Sequence, residues 1–387
     1  MPVPAIVPRG RPPRLHALTS LRFFAALAIV IHHGAEFGLI PAAALQRVDL
    51  SQGVTFFFVL SGFVLTYTYG EGPLAVRRFY WSRLARIWPA AAVSILLVPL
   101  LLPRVLFLPS GADGWHSFGV LLLCLLLLQA MVPIPDFYFA FNAVTWSVSV
   151  EAVFYLLFPL LLLALRRHWQ LSLALVALLG LALVWLATGF QLQDFSANRL
   201  DSPGWHGLIY IHPLARLGEF VLGMLAARLF VSPVGGIWRA RLKRWRWSGW
   251  LEVVGVMGLF LFNVGLQSLL LRWSIPLSLL LRHWLGAAGL AGLILVLACE
   301  GGGLSRGLRW SPLLLLGEIS YSLYLFHRLV LQIVVNAHPM VLAWMPAVLR
   351  FPAVLLASLV ISFAAWNWLE KPARLYWLQA KRVQLPR

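Results

Sequence analysis

A chain of 387 residues that is 61% hydrophobic and only 11% charged, with a mean hydropathy of +0.84, has too little polar surface to coat a water-soluble globule of its size, so a bilayer is its expected solvent. Its formal charge of +18 does not make it a nucleic-acid binder, because the basic residues are scattered between apolar runs and gather on no single face or tail. Cys124 and Cys299 each stand alone in an apolar run, so neither a disulfide framework nor a metal site is expected.

The first residues, MPVPAIVPRGRPPRLHALTSLR, are rich in Pro and Arg and lead into an apolar run without a small-residue cleavage site, which reads as a retained cytoplasmic tail over 1–19. Apolar runs then follow at 20–40, 53–70, 87–108, 115–132, 148–165, 170–190, 207–231, 249–271, 283–300, 312–335 and 347–369, most of them near the roughly 20 residues a crossing needs. Cytoplasmic connections carry the Lys and Arg excess. The basic segments are the N-tail, 77–86, Arg166 with Arg167, 239–246, 306–309 and the tail 371–387. They all face one side only if 115–132 does not cross completely. The expectation is an all-α integral membrane bundle of about ten transmembrane helices plus one re-entrant or interfacial segment, with an eleventh span as the alternative. One membrane domain (20–370) lies between two cytoplasmic tails.

An ionisable residue at hydrocarbon depth costs at least about 2.5 to 3.5 kcal/mol on insertion scales, so each one asks for a partner, a water-filled cavity or a function. In the first span Arg22 and His33 are eleven residues apart, a rotation of roughly 1,100°, about 20° beyond three turns, with a rise of about 16 Å. They share a face. Glu36 lies one turn further on and could orient the imidazole, whereas His32 points about 100° away. A core histidine bonded to a neighbouring helix would read the same way; Arg22 and Glu36 on its face favour a functional base.

In the second run Gly53, Ser61 and Gly62 allow close helix approach. The segment FYWSRLARIWP follows, placing Arg83 and Arg86 one turn apart beside Arg78. Guanidinium groups grip phosphate bidentately, which suits a nucleotide-containing donor, and positive-inside anchoring is the alternative. Further along are Glu151, Glu219 and Glu318. Glu219 has Arg216 one turn away, which reads as a structural ion pair. Glu151 has no basic neighbour in its own span and needs a partner on another helix. His327, beside Arg328, is either a second catalytic or orienting histidine or a core residue.

The segments LTSLRFFAALAIVIHH, GVTFFFVLSGFVLTY, RLARIWP, TWSVSVEAVFYLLFPLL, RLGEFVLGM, LGEISYSLYLFH and LEKPARL, in this order, resemble the acyltransferase 3 family of membrane acyltransferases, which includes O-antigen, exopolysaccharide and macrolide acyltransferases. The resemblance implies that Arg22 and His33 are the family's Arg-x10-His pair, with the histidine catalytic, and that Arg83 and Arg86 take part in donor binding. Family members often carry a further arginine where this chain has Ser82, and Thr55 stands where many have an acidic or small residue. Glu370, in LEKPAR, becomes an orienting candidate.

The implied activity is transfer of an acyl group, acetyl above all, from cytoplasmic acyl-CoA to a hydroxyl of a surface or lipid-linked carbohydrate, with His33 as general base and Arg22 and Glu151 beside it. Acyl-CoA is then a co-substrate, with no permanently bound cofactor. The partners are a carbohydrate or glycolipid acceptor and membrane lipid, in a bacterial cytoplasmic membrane. No C-terminal esterase-like domain of the kind some members carry is expected, so acceptor handling is expected in the membrane domain or in partners. Direct attack and an acyl-histidine intermediate fit the sequence equally. The alternatives are acylation of a small molecule such as a macrolide, and a proton-coupled transporter, against which stands the lack of paired helix-breaking segments in two corresponding halves.

Overall fold

The computed structural model of the chain describes residues 12–45, 48–108, 114–195, 200–244, 248–270 and 274–379, and among them every regular element is a helix. In lipid the backbone must satisfy its own hydrogen bonds, and a chain of apolar runs does so as helices. They are α1 (His16–Glu36), α2 (Gln52–Tyr69), α3 (Val76–Leu101), α4 (Gly114–Leu125), α5 (Pro135–Tyr138), α6 (Thr145–Gly189), α7 (Pro213–Val231), α8 (Pro233–Arg244), α9 (Ser248–Leu270), α10 (Ile275–Ala298), α11 (Gly303–Leu308), α12 (Ser311–Leu331), α13 (Met340–Ala343), α14 (Ala347–Ala365) and α15 (Lys371–Gln379). Three π-helical turns, at His206–Ile211, Gln332–Ala337 and Trp366–Glu370, adjoin α7, α12 and α14. Pro213, Pro276 and Pro312 stand in the first turns of α7, α10 and α12, where a missing N–H is harmless.

Seven of the described helices are long and apolar enough to cross a bilayer, and an eighth crossing is added if His206–Val231 and Pro233–Leu242, bent by 74°, form one span. The expected all-helical, multi-pass membrane bundle is therefore observed, but length and composition do not reach the expected ten crossings. One reason is α6, whose 45 residues form one helix interrupted only at His168 (φ −142°, ψ 64°). Another is α9, whose apolar stretch Gly249–Phe262 is short. The helix α4 has 12 residues, about 18 Å of rise against a hydrocarbon core of about 30 Å. Most of the two expected tails, residues 1–11 and 380–387, lies outside the described residues. The helix α1 already begins at His16, within the segment expected as tail.

Small residues set the closest contacts. A Cβ on Gly62 would lie 2.0 Å from the Phe220 carbonyl oxygen, and one on Gly223 would lie 2.0 Å from that of Val59, so α2 and α7 touch backbone to backbone. On the other side, a Cβ on Gly317 would come within 2.1 Å of the Thr19 carbonyl oxygen, which seats α12 against α1. Arg166 fastens the end of α2 by donating to the carbonyls of Gly70 (2.6 Å), Gly72 (2.9 Å) and Tyr69 (3.3 Å), groups a helix C-terminus otherwise leaves unpaired. Near α11, the buried Glu252 carboxylate accepts from the Gly302 and Ser305 backbone and from Ser305 Oγ (2.6 Å).

Candidate active site

The contact of α1 with α12 brings two histidines together. Nδ1 of His33 lies 2.8 Å from Nε2 of His327, with the rings 5.0 Å apart and nearly parallel. On its far side His327 Nδ1 lies 3.0 Å from the Leu323 carbonyl oxygen. A carbonyl only accepts, so His327 Nδ1 carries the hydrogen. With both rings neutral, His327 Nε2 is then the acceptor, His33 Nδ1 the donor, and His33 Nε2 holds a free lone pair. His33 is 14% exposed and His327 fully buried, so the chain of rings starts inside the protein and ends at a partly open nitrogen.

Glu36 approaches that nitrogen to 3.8 Å but pairs more closely with His32 (3.2 Å) and Arg328 (3.5 Å), and it is half-exposed. The Arg328 guanidinium also lies 5.5 Å from the Phe37 ring. Next to His327, the Tyr324 ring is 6.0 Å away, and its hydroxyl is held by Ser147 Oγ (2.5 Å) and the Val144 carbonyl (2.9 Å).

A second group of polar side chains forms around Arg22. Glu151 accepts from Ser61 Oγ on α2 (2.9 Å) and from the Tyr155 hydroxyl, so it finds the partner on another helix that its own span lacks. Arg22 lies within electrostatic reach of Arg86, Glu370, Glu151 and Tyr155. Glu370 is held by Ser322 Oγ at 2.9 Å. Arg83 packs its guanidinium 5.9 Å from the Tyr155 ring and 6.0 Å from that of Phe79. Arg374, one turn beyond Glu370, has Arg86 and Arg83 as electrostatic neighbours. Residues of α1, α3, α6, α15 and the π-turn Trp366–Glu370 thus converge on one basic cluster.

Not every candidate joins these groups. Arg78 is exposed on the first turn of α3, and Glu318 is exposed on α12. Glu219 forms the expected pair with Arg216, Oε1 to Nε at 3.0 Å and both buried. Arg216 also donates to Thr55 Oγ1 at 3.3 Å, which gives Thr55 a partner that the sequence did not suggest. Among the described residues His33 shares its ring hydrogen bond with His327, and none with Glu151. Sequence reasoning missed Tyr155, Tyr324 and Arg374. Their signal is the helical spacing of Tyr324 with His327 and Arg328, of Tyr155 with Glu151, and of Arg374 with Glu370.

The family model of an acyltransferase domain matches residues 15–367. The chain is 30% identical over 344 residues to acyltransferase MdmB of Streptomyces mycarofaciens, spanning 82% of this chain and 79% of that protein. It is 25% identical over 372 residues to nodulation protein 10 of Rhizobium leguminosarum bv. viciae, 91% of each. It is also 25% identical over 388 residues to the O-acetyltransferase OatA of Staphylococcus aureus, spanning 94% of this chain and 58% of that protein. No solved structure matches.

Proposed function

The chain belongs to the acyltransferase 3 family, and from that premise we propose that it is an O-acyltransferase moving an acyl group, acetyl above all, from cytoplasmic acyl-CoA to a hydroxyl of a surface or lipid-linked carbohydrate, with His33 as general base. The observation that carries this reading is the chain from the Leu323 carbonyl through His327 to His33, which leaves His33 Nε2 free to take a proton. The acceptor hydroxyl gives its proton to that nitrogen while its oxygen bonds to the thioester carbonyl carbon. The carbon–sulfur bond then breaks, and the proton passes from His33 to the sulfur, releasing the thiol. His327 is a positioning residue that holds the imidazole in the tautomer with Nε2 open.

Arg83, Arg86 and Arg374 bind the donor's phosphates, with Arg78 as an outer contact, because guanidinium groups match phosphate oxygens in geometry and charge. Glu151 and Glu370 position the arginines. The name of the relative OatA supports O-acetylation as the reaction type.

The topology we propose has ten crossings in a bacterial cytoplasmic membrane. A helix of 45 residues would rise about 68 Å, more than twice the hydrocarbon core, so α6 crosses twice about His168. With α1, α2, α3, α7, α9, α10, α12 and α14 this makes ten, α4 is re-entrant, and both termini are cytoplasmic. Labelled acetyl-CoA and native membranes carrying His33→Ala at wild-type levels test the mechanism. Transfer to glycan should fall by about 10²–10⁴-fold, the usual contribution of a general base; retained transfer would overturn the assignment.

A further inference from the structure

A third polar group lies at the bundle end opposite Arg83, between the start of α2, α10 and the π-turn His206–Ile211. Asp49 Oδ2 pairs with Arg282 Nε at 3.5 Å. Its other oxygen accepts from Ser51 Oγ (2.5 Å) and the Ser51 backbone N–H (3.0 Å). Gln52 donates to Asp49 at 3.4 Å, yet its Oε1 is buried without a partner. Gly286 makes room for that carboxamide, since a Cβ there would lie 2.7 Å from Oε1.

One turn before Gly286 is His283, 2% exposed, whose ring nitrogens make no hydrogen bond of good geometry. The Leu279 carbonyl one turn back faces the ring, so at most one nitrogen is served and the other stays open. A buried polar atom left unpaired is destabilising, and its retention asks for an explanation.

The edge of the group is partly exposed and bordered by aromatic rings. Tyr210 and Arg282 are partly exposed. The Tyr210 ring lies 5.2 Å from that of His283 and 5.3 Å from that of Trp146. Ser147, the next residue, holds Tyr324, whose ring is 6.0 Å from His327. The polar group and the histidine pair therefore sit on either side of the 146–147 step.

From this geometry we infer a subsite for a neutral, hydroxylated ring, the sugar unit of the acceptor, held by Gln52, His283 and Arg282 against Tyr210 and Trp146. Charge and hydrogen-bond capacity select that class. The Asp49–Arg282 pair cancels its own charge, so no net charge remains to draw an ion. Gln52 Oε1 and an unprotonated imidazole nitrogen accept and need a ligand that donates. Ionised phosphate and carboxylate only accept, while an ammonium would face Arg282. A hydroxyl both donates and accepts, and a sugar offers several on a ring whose apolar face fits an aromatic wall.

The inference rests on the O-acyltransfer reading for its place beside His33, but its test reads binding alone. The full chain in lipid nanodiscs is titrated with methyl glycosides, both neutral hexosides and methyl glucuronide, while tryptophan fluorescence and acyl-CoA affinity are followed. At least one neutral hexoside should give a saturable change, with the glucuronide about tenfold weaker or more. His283→Phe should weaken that binding about tenfold, leave acyl-CoA affinity unchanged and shift Tm little, because at most one of the two nitrogens it removes has a partner in the protein. Gln52→Leu gives the same test should His283→Phe fail to fold. The subsite is overturned by no saturable hexoside, by a glucuronide that binds as tightly, or by both variants binding normally. Hexoside binding without any acyl transfer would instead overturn the O-acyltransfer reading and leave the subsite standing.

Discussion

The Arg216–Glu219 pair and the cluster around Arg22 both place guanidinium groups inside the bundle, but only the first cancels its own charge. Arg216 meets one carboxylate at 3.0 Å, bonds Thr55 and lies 5.0 and 5.3 Å from the Tyr210 and Phe58 rings, with Arg216, Glu219, Thr55 and Phe58 all buried. The other group sets Arg22, Arg83, Arg86 and Arg374 against Glu151 and Glu370, four cations to two anions. A bundle that neutralises an arginine fully in one place and leaves a surplus in another carries there a charge that an anion would balance. The first arrangement holds helices together, and the surplus in the second is what the proposed donor binding draws on.

The comparison breaks if changes to the balanced pair alter catalysis, or changes to the surplus cluster alter stability. The largest effect belongs to Glu219→Ala, which strands a buried guanidinium and should cost about 3–5 kcal/mol, seen as a large drop in Tm with kcat of the folded fraction unchanged. Replacing both partners, Arg216→Met with Glu219→Leu, should restore most of that loss. Arg86→Ala should leave Tm within error and raise KM for acyl-CoA by about 10–100-fold, the loss of one or two charge-assisted hydrogen bonds. Arg374→Ala, on a more exposed residue, should raise the same KM by about two- to fivefold, and less at high salt. Arg78→Ala, exposed at the start of α3, should change KM by less than about twofold. If Arg78 outweighs Arg86, the donor sits further out than proposed.

The sequence could be read wherever the partners are near in the chain. Arg216 and Glu219, or Arg83 and Arg86, are separated by one helical turn, and helical phase alone puts them side by side. Phase also puts Arg22 and His33 on one face of α1. It does not say which helix that face meets. The His33–His327 bond joins residues 294 apart in sequence, and the Ser61–Glu151 bond residues 90 apart. Those pairings follow from close helix contacts such as Gly317 against Thr19, which a list of apolar runs does not order. Hydropathy likewise sees two runs on either side of Arg166, whereas the backbone joins them through a single irregular residue, His168.

The glycine contacts bear on how two substrates from opposite sides could meet. Machines that alternate their access rock one bundle against another and need a seam along which packed helices can slide. Here Gly62 and Gly223 interlock reciprocally, and Gly317 locks α12, with His327, onto α1, with His33. Such seams have no slack for sliding. On the proposed mechanism the histidine pair therefore works as a fixed anvil, and a covalent staple across α1 and α12 should leave turnover running.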